Sequence, residues 1–341
     1  MGRRTTPIVV GIDLGGTKTA GAVATLEGKV LDRLIVRTPA ASGPQGVVDQ
    51  IGALAETLVI GCGRRLDDVV AVGLGAPGPT GAAEGIVFDA PNLPGWRDVP
   101  LRAMVEARLG RPVHLDNDAN AAAIAEHLWG AGQGIDDMIY VTVSTGIGGG
   151  LILGGHLYRG TAETAGEIGH MTIDLNGPRC ICGNQGCLEV LASGTAISRQ
   201  AVAEINAGAT SVISRLVGGD LSAVTARVVE DAASQGDELA CRIFARAGEF
   251  LGIGFANLTN LLAPRMIVVG GGVVQEDSFI LEPARRVLRE RAFRRPASVV
   301  EVVKARLGPD AGLLGAVALA LGHDYPFTRA PVPAGAGSKK A

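Results

Sequence analysis

Three things are scarce in this 341-residue chain, and each scarcity removes a class of function. Positive charge is not in surplus: 31 Lys and Arg stand against 34 Asp and Glu, a formal net charge of -3. A polyanion such as DNA or RNA gains nothing from that balance, and the sequence contains no basic recognition helix. Long apolar runs are missing from the N-terminus. MGRRTTPIVVGID sets a basic pair before a short apolar run that Gly11 and Asp13 soon interrupt. That is too short for a secretory leader or a membrane span, so the expected compartment is the cytoplasm and no membrane partner is expected. Thr6 fits the loose myristoylation pattern beginning at Gly2, an accidental match beside the first strand. Cysteine is the third scarcity, with five residues in all. With nothing else marking the chain as secreted, a disulfide framework is disfavoured.

Glycine is plentiful instead: 50 residues, against a usual share of about 7%. Much of it sits in loops between apolar runs, where backbone can approach a ligand closely. With 47% hydrophobic and 19% charged residues, the chain is an ordinary globular protein with ample core. Its length suggests about two domains.

The scarce cysteines are concentrated. Glu167 to Glu189, EIGHMTIDLNGPRCICGNQGCLE, holds Cys180, Cys182 and Cys187, with His170 ten residues before the first of them. Three thiolates and one imidazole suit tetrahedral zinc, and four protein ligands leave no open position for water. Gly183 and Gly186 permit the turns that bring the sulfurs to one ion. The bland alternative is three buried or free cysteines, but apolar packing gives no reason to place them among Gly, Asn and Gln. A closed site is structural. It would brace the loop and hold the flanking carboxylates, Glu167 and Glu189, as a rigid platform for a polar ligand.

Elsewhere, strands alternate with helices. Pro7 to Ile12 and Ala20 to Leu26 read as strands around Asp13-Leu-Gly15-Gly16-Thr17-Lys18. Backbone N–H groups in such a turn can bind phosphate oxygens, and Asp13 can hold magnesium directly or through water. It is neither a P-loop nor a Rossmann turn, since both of those run into a helix; the alternative is an ordinary tight hairpin. The pattern recurs at Ser144-Thr145-Gly146-Ile-Gly148-Gly-Gly, between the strand 138–143 and the apolar run 151–153. Two such loops suggest duplicated halves clamping phosphates in an interdomain cleft.

Further strands are read at 30–36, 69–74, 111–115, 266–269 and 299–303. Helices are read at 45–59, 101–109, 121–129, 188–203 with a break at Ser193-Gly194, 225–234, 238–262 and 279–291. A last helix runs from Asp310, its N-cap, to Leu321. Asn92 lies in a loop between prolines, where capping local backbone is the commoner role. At Asp116-Asn117-Asp118-Ala-Asn120 one residue caps the following helix. A left-over carboxylate, Asp118, could serve as general base towards a hydroxyl. Gly270-Gly271-Gly272 is either a plain turn or backbone lying flat on an adenine or ribose. Arg285 to Arg295 reads as a solvated helix face, and Ala330 to Ala341 as a disordered tail.

Taken together, DLGGTKTAG from Asp13, NDANAAA from Asn117, VSTGIGGG from Val143, EIGH from Glu167 and CICGNQGCLE from Cys180 resemble the ROK family of sugar kinases and sugar-responsive repressors. The resemblance runs from Ile8 to about Leu321. It implies an α/β, actin/hexokinase-like (ribonuclease H-like) fold, two domains with a mixed five-stranded sheet each, closing on a cleft. The N-terminal domain would be 1–117, completed by helix 310–322. The second would be 118–309, carrying the zinc loop 167–189, and 323–341 a tail.

The resemblance also implies a reaction. Asp118 takes a proton from a hexose 6-hydroxyl, which attacks the γ-phosphate of ATP while Mg2+ neutralises the phosphates. Asn92, Asn117, Asp118, Glu167, His170 and Glu189 would bind sugar hydroxyls, with Gly78 nearby. One ring nitrogen of His170 would hold zinc and the other would face the sugar. ATP would lie against the loops from Gly11 to Lys18 and Ser144 to Gly150, with Gly271, Gly272 and Gly312 at the nucleoside. Glucose is the expected sugar. The alternatives are mannose, fructose, N-acetylglucosamine and N-acetylmannosamine, with polyphosphate or ADP as another donor. A homodimer or homotetramer is the family expectation. Repressors of the family carry an N-terminal helix-turn-helix, for which a first strand near Pro7 leaves no room.

Overall fold

The computed structural model describes residues 6–90, 92–274 and 277–323. The tail expected from 324 onward lies outside them. Among the described residues no helix is long and apolar enough to cross a membrane.

The N-terminal sheet is built from β1 (Ile8–Leu14), β2 (Lys18–Thr25), β3 (Val30–Arg37), β4 (Val69–Ala76) and β8 (Val113–Asn117), in the order β3-β2-β1-β4-β8. β1 is antiparallel to β2 and parallel to β4, and β4 is parallel to β8. One face is covered by α1 (Gly43–Gly61) and α2 (Leu101–Leu109), whose Val47, Ile51, Leu54, Leu58 and Val105 join the buried core. A small sheet of β5 (Thr80–Gly81), β6 (Ile86–Asp89) and β7 (Arg97–Val99) grows out of the loop after β4. The sequence gives no hint of it, because two- to four-residue strands among Gly and Pro show no alternation.

The second sheet runs β11-β10-β9-β12-β13, from β9 (Met138–Val143), β10 (Ile147–Leu153), β11 (His156–Leu157), β12 (Met266–Gly270) and β13 (Glu301–Lys304). Two five-stranded mixed sheets are what the resemblance implies. Its outer core is closed by α4 (Leu188–Ala192), α5 (Gly194–Asn206), α6 (Ile213–Leu216), α7 (Ala226–Ser234), α8 (Glu238–Leu262), α9 (Asp277–Arg291) and the short α10 (Arg294–Ala297). The 25-residue α8 buries Phe244, Leu251, Phe255 and Leu258 on one stripe. Asp237 caps it by accepting from the Ala240 N–H at 2.9 Å.

Between the sheets lie α3 (Asp118–Trp129) and α11 (Ala311–Ala320). α11 is apolar on nearly every side because it packs on the inner face of the first sheet and also against α3. Glycine makes that approach close: a methyl at Gly73 of β4 would overlap the Ala316 carbonyl. α3 in turn covers the inner face of the second sheet.

Two local expectations change. Asp310 does not use its side chain to cap α11; both its oxygens pair with Arg33 of β3 at 3.0 Å. Nor is the Arg-rich segment wholly solvated: Arg285 donates to the Val302 carbonyl at 2.9 Å and pairs with Glu282 at 2.6 Å, tying α9 to β13.

Candidate active site

Ligands in open α/β sheets lie beyond the carboxyl ends of the strands, and here two such edges face each other. The first contributes Asp13, the turn after β4 and the Asn117-Asp118 junction. The second contributes Ser144 after β9 and Gly271 after β12.

Asn117, not Asp118, caps α3. Its Oδ1 accepts from the Ala119 and Asn120 N–H groups at 2.9 and 3.2 Å, and its Nδ2 donates to the Gly78 carbonyl at 2.9 Å. One Nδ2–H is left for a ligand. Gly78 itself sits at φ +82°, and a methyl there would overlap the Asp89 carbonyl. Asp116 is buried, accepting two bonds from Arg159 at 2.6 and 2.9 Å and one from Asn120 at 2.9 Å. That leaves Asp118 as the carboxylate aimed at the cleft, as its position suggested. Its Oδ1 accepts from the Ala119 N–H at 2.7 Å. Burial first, then the negative charge of Asp13, push its pKa up to about 7. Asp13 is raised to about 6 by burial alone.

Both aspartates line one cavity of about 470 Å³, with Thr142, Ser144, Gly270 to Gly272, Lys304, Gly308, Pro309, Ala311 and Gly312 on its walls. The volume suits a nucleotide. Gly271 (φ +98°) lies flat against β9, where a methyl would overlap the Val143 carbonyl. A methyl on Gly312 would stand 2.5 Å from the Asp13 carboxylate, so this glycine makes room for Asp13 as well as for a ligand. Paired carboxylates on a phosphate-sized cavity suit the hard, oxygen-seeking Mg2+.

The two glycine hairpins stand differently. Gly15, Gly16, Thr17 and Lys18 form a closed turn, Gly15 N–H to Lys18 carbonyl at 2.9 Å, that does not line this cavity. Thr17 and Lys18 are exposed. Thr38 anchors the turn: its hydroxyl donates to the Gly15 carbonyl at 2.7 Å, and its N–H to that of Thr17 at 2.9 Å. Gly16 lies against Asn92, whose Cβ would be 2.8 Å from a methyl placed there. Asn92 is exposed. In the second hairpin the Thr145 carbonyl accepts from the Thr195 hydroxyl at 2.8 Å. Gly146 stands against Glu189, whose carboxylate also accepts from the Ile147 N–H at 2.9 Å. Gly148 lines a small chamber of about 30 Å³ with Asn117, Asn120 and Glu167. The second hairpin thus touches the polar cluster as well as the nucleotide side.

That cluster hangs on the cysteine loop. His170, Cys180, Cys182 and Cys187 bring four donor atoms within 4.8 Å of one another. A tetrahedral zinc, with Zn–S of about 2.3 Å and Zn–N of about 2.0 Å, separates two sulfurs by about 3.8 Å and sulfur from nitrogen by about 3.5 Å. The Cys182 and Cys187 sulfurs are 3.7 Å apart, and Cys180 Sγ is 3.6 Å from His170 Nδ1. The donor set and its spacing therefore fit structural zinc. His170 turns Nε2 the other way, 3.9 Å from Glu167 Oε2. Burial and the nearby Glu189 raise the Glu167 pKa, and His170 opposes them. Loop closure comes from Ile173 N–H to Gly186 carbonyl at 2.8 Å and Leu188 N–H to Met171 carbonyl at 2.9 Å, which places Glu167 and Glu189 side by side.

Several supporting residues escape a reading of the sequence. Besides Thr38 and the Asp116–Arg159 pair, Glu163 crosses the cleft to accept from the Ala83 N–H at 2.7 Å, from a left-handed backbone at φ +59°. Its one signal is two charges, Arg159 and Glu163, in a stretch of small residues just before the EIGH motif.

Two α/β units joined through a central helix pair, with acidic groups at the facing strand ends, define the actin/hexokinase-like class of fold. Within it the chain belongs to the ROK family, whose family model matches residues 9–323. The glucokinase of Streptomyces coelicolor is 38% identical over 318 residues, covering 92% of this chain and 97% of the relative. Among solved structures, a ROK family glucokinase from Streptomyces griseus in complex with glucose and AMPPNP is 39% identical, with a TM-score of 0.80 over 92% of this chain and 98% of that one. A ROK family transcriptional regulator, a homologue of the E. coli MLC protein, superposes with a TM-score of 0.83 at 27% identity, over 94% of this chain and 79% of its own.

Proposed function

We propose that this protein transfers the γ-phosphoryl group of ATP to the 6-hydroxyl of glucose, giving glucose 6-phosphate and ADP. The observation that carries the reading is the position of Asp118. It stands between a nucleotide-sized cavity and a cluster of sugar-type hydrogen-bonding groups, with a pKa raised to about 7. A base so tuned takes the hydroxyl proton as the oxygen attacks phosphorus in line. Asn92, Asn117, Glu167, His170 and Glu189 orient the sugar, with the Gly78 loop alongside. The cavity walls at Gly270 to Gly272, Gly308, Pro309, Ala311 and Gly312 hold the nucleoside end of ATP. Asp13 holds Mg2+, and the turns at Gly15 to Lys18 and Thr145 to Gly148 close on the phosphates. Zinc on His170 and the three cysteines fixes the sugar side of the site and takes no part in the chemistry. The relatives support glucose: one solved neighbour contains both glucose and an ATP analogue.

The reading implies a cytoplasmic enzyme, where ATP and hexose meet, and assembly as a homodimer or homotetramer. The likeness to the regulator favours a second reading, a sugar sensor without turnover. The deciding experiment is ADP release from Mg-ATP with glucose, mannose, fructose, N-acetylglucosamine and N-acetylmannosamine. Asp118→Asn serves as control, and polyphosphate and ADP as alternative donors. A preference for glucose with ATP is expected. Preference for an N-acetyl sugar would replace the substrate and keep the mechanism. Sugar binding without turnover on any donor would overturn the kinase reading.

A further inference from the structure

Glu126 is a charged residue with no accessible surface, in the last turn of α3. A carboxylate is left in such a place only when its oxygens are well partnered. Three backbone N–H groups supply the partners. Ala131, just past the end of the helix, donates at 2.8 Å. The other two are Leu307 at 2.8 Å and Arg306 at 3.2 Å, about 180 positions away in the chain. These consecutive amides belong to the segment between β13 and α11. Their neighbours Ala305, Gly308 and Pro309 line the 470 Å³ cavity. On the Ala305 side the segment is held by β12, Ala305 N–H to the Val269 carbonyl at 2.8 Å. On the other side Asp310 N–H returns to the Leu307 carbonyl at 3.2 Å, which leads into the Gly312 contact with Asp13. Without Glu126, two adjacent amides in the middle of this wall would lose their acceptor.

The clamp is built into the local backbone. Gly130 lies so close to Glu126 Oε2 that a methyl at that position would overlap it. The same helix carries Asp118 in its first turn and lines the cavity with Ala119 and Ala122 in between. Tyr140, on the cavity wall, is kept protonated by burial and, secondarily, by the negative charge of Glu126.

We infer that Glu126 is a positioning residue for the nucleotide, using its carboxylate to fix the 305–309 wall at a set distance from Asp118. It touches neither substrate, and acts through the amides of Arg306 and Leu307. The inference rests on the ATP reading of the cavity, but the clamp can be measured without it.

The test uses Glu126→Gln and, independently, Gly130→Ala, which crowds the carboxylate without altering charge. Three quantities are compared with wild type: amide hydrogen exchange at Arg306 and Leu307, the Kd for Mg-AMPPNP and the Kd for glucose. The AMPPNP Kd should rise about tenfold, about 1.4 kcal/mol, with glucose affinity within about twofold and both amides exchanging faster. If Glu126→Gln does not fold, Gly130→Ala carries the test alone. Folded variants with unchanged AMPPNP affinity, or with equal losses for both ligands, would overturn the positioning role. If wild type binds no AMPPNP, the ATP reading fails, and unchanged exchange in the variants would then dispose of the clamp as well.

Discussion

At the scale of single residues, the site depends on how burial lifts the pKa values of two neighbouring aspartates, Asp13 to about 6 and Asp118 to about 7. Asp118, with a pKa of about 7, is half a base at neutral pH. The pH profile of kcat/KM for the sugar should fall about tenfold per unit below that value, because the free enzyme must hold Asp118 deprotonated. Asp118→Asn should lose at least about a hundredfold in turnover with an unchanged circular dichroism spectrum; wild-type rates in that variant would remove the general-base assignment. The sign of the stability effect follows from linkage. An ordinary aspartate titrates near 3.9, so folding here raises the pKa and favours the protonated form. That contribution is complete below the unfolded value and is lost as pH climbs through about 7. Asp118→Asn should therefore melt higher than wild type at pH 8 and close to it at pH 4, measured without ligands. Asp118 could be found in the sequence because one cap leaves a second acid unexplained. Thr38 could not, since nothing links it to Gly15 until β2 and β3 pair and bring Thr38 beside the turn. Thr38→Val should raise the KM for ATP by about threefold to tenfold through the lost hydroxyl bond and the sugar KM by a smaller factor.

At the scale of elements, the cysteine loop and the hairpins differ in what their sequences disclose. Cys180, Cys182, Cys187 and His170 name their own partner, because thiolates and imidazole at this spacing have few other uses. Their neighbours Glu167 and Glu189 follow from it. Metal analysis should find one zinc per chain, and Cys182→Ser should lose it. A variant without zinc should bind glucose at least about tenfold more weakly, the scale for disturbing a metal shell, with ATP affinity much less affected. A full zinc complement in Cys182→Ser would separate that cysteine from the site. The glycine hairpins disclose less. DLGGTKTAG and VSTGIGGG look equivalent, yet beyond Asp13 the first is a closed turn, Gly15 to Lys18, outside the large cavity, while the second leans on Glu189. Glycine states that backbone comes close to something, not to what. Helix ends were similarly half legible. The stop at Ser193-Gly194 is visible because Ser193 caps α5 locally, whereas the pairing of Asp310 with Arg33 is a contact across 277 positions.

At the scale of the molecule, the alternation of strands and helices shows an α/β protein, but the order in which strands pair and the placing of α11 between the sheets come from long-range packing. Gly11 and Gly73 record it only in retrospect, as the positions where α11 comes nearest the sheet. Gly73→Ala would force α11 off β4. Overpacking of this kind costs about 1–3 kcal/mol, and a lower denaturant midpoint with an unchanged m value should register it; an unchanged midpoint would mean that the helix can shift freely. The contact between Gly16 and Asn92 has a further consequence. It joins a turn assigned to phosphate with a loop assigned to sugar, so neither can be ordered by its ligand without the other feeling it. Thermodynamic reciprocity then requires that whatever factor glucose applies to the affinity for nucleotide, nucleotide applies to the affinity for glucose. A substitution that loosens the Gly16–Asn92 contact should therefore weaken both effects by the same factor.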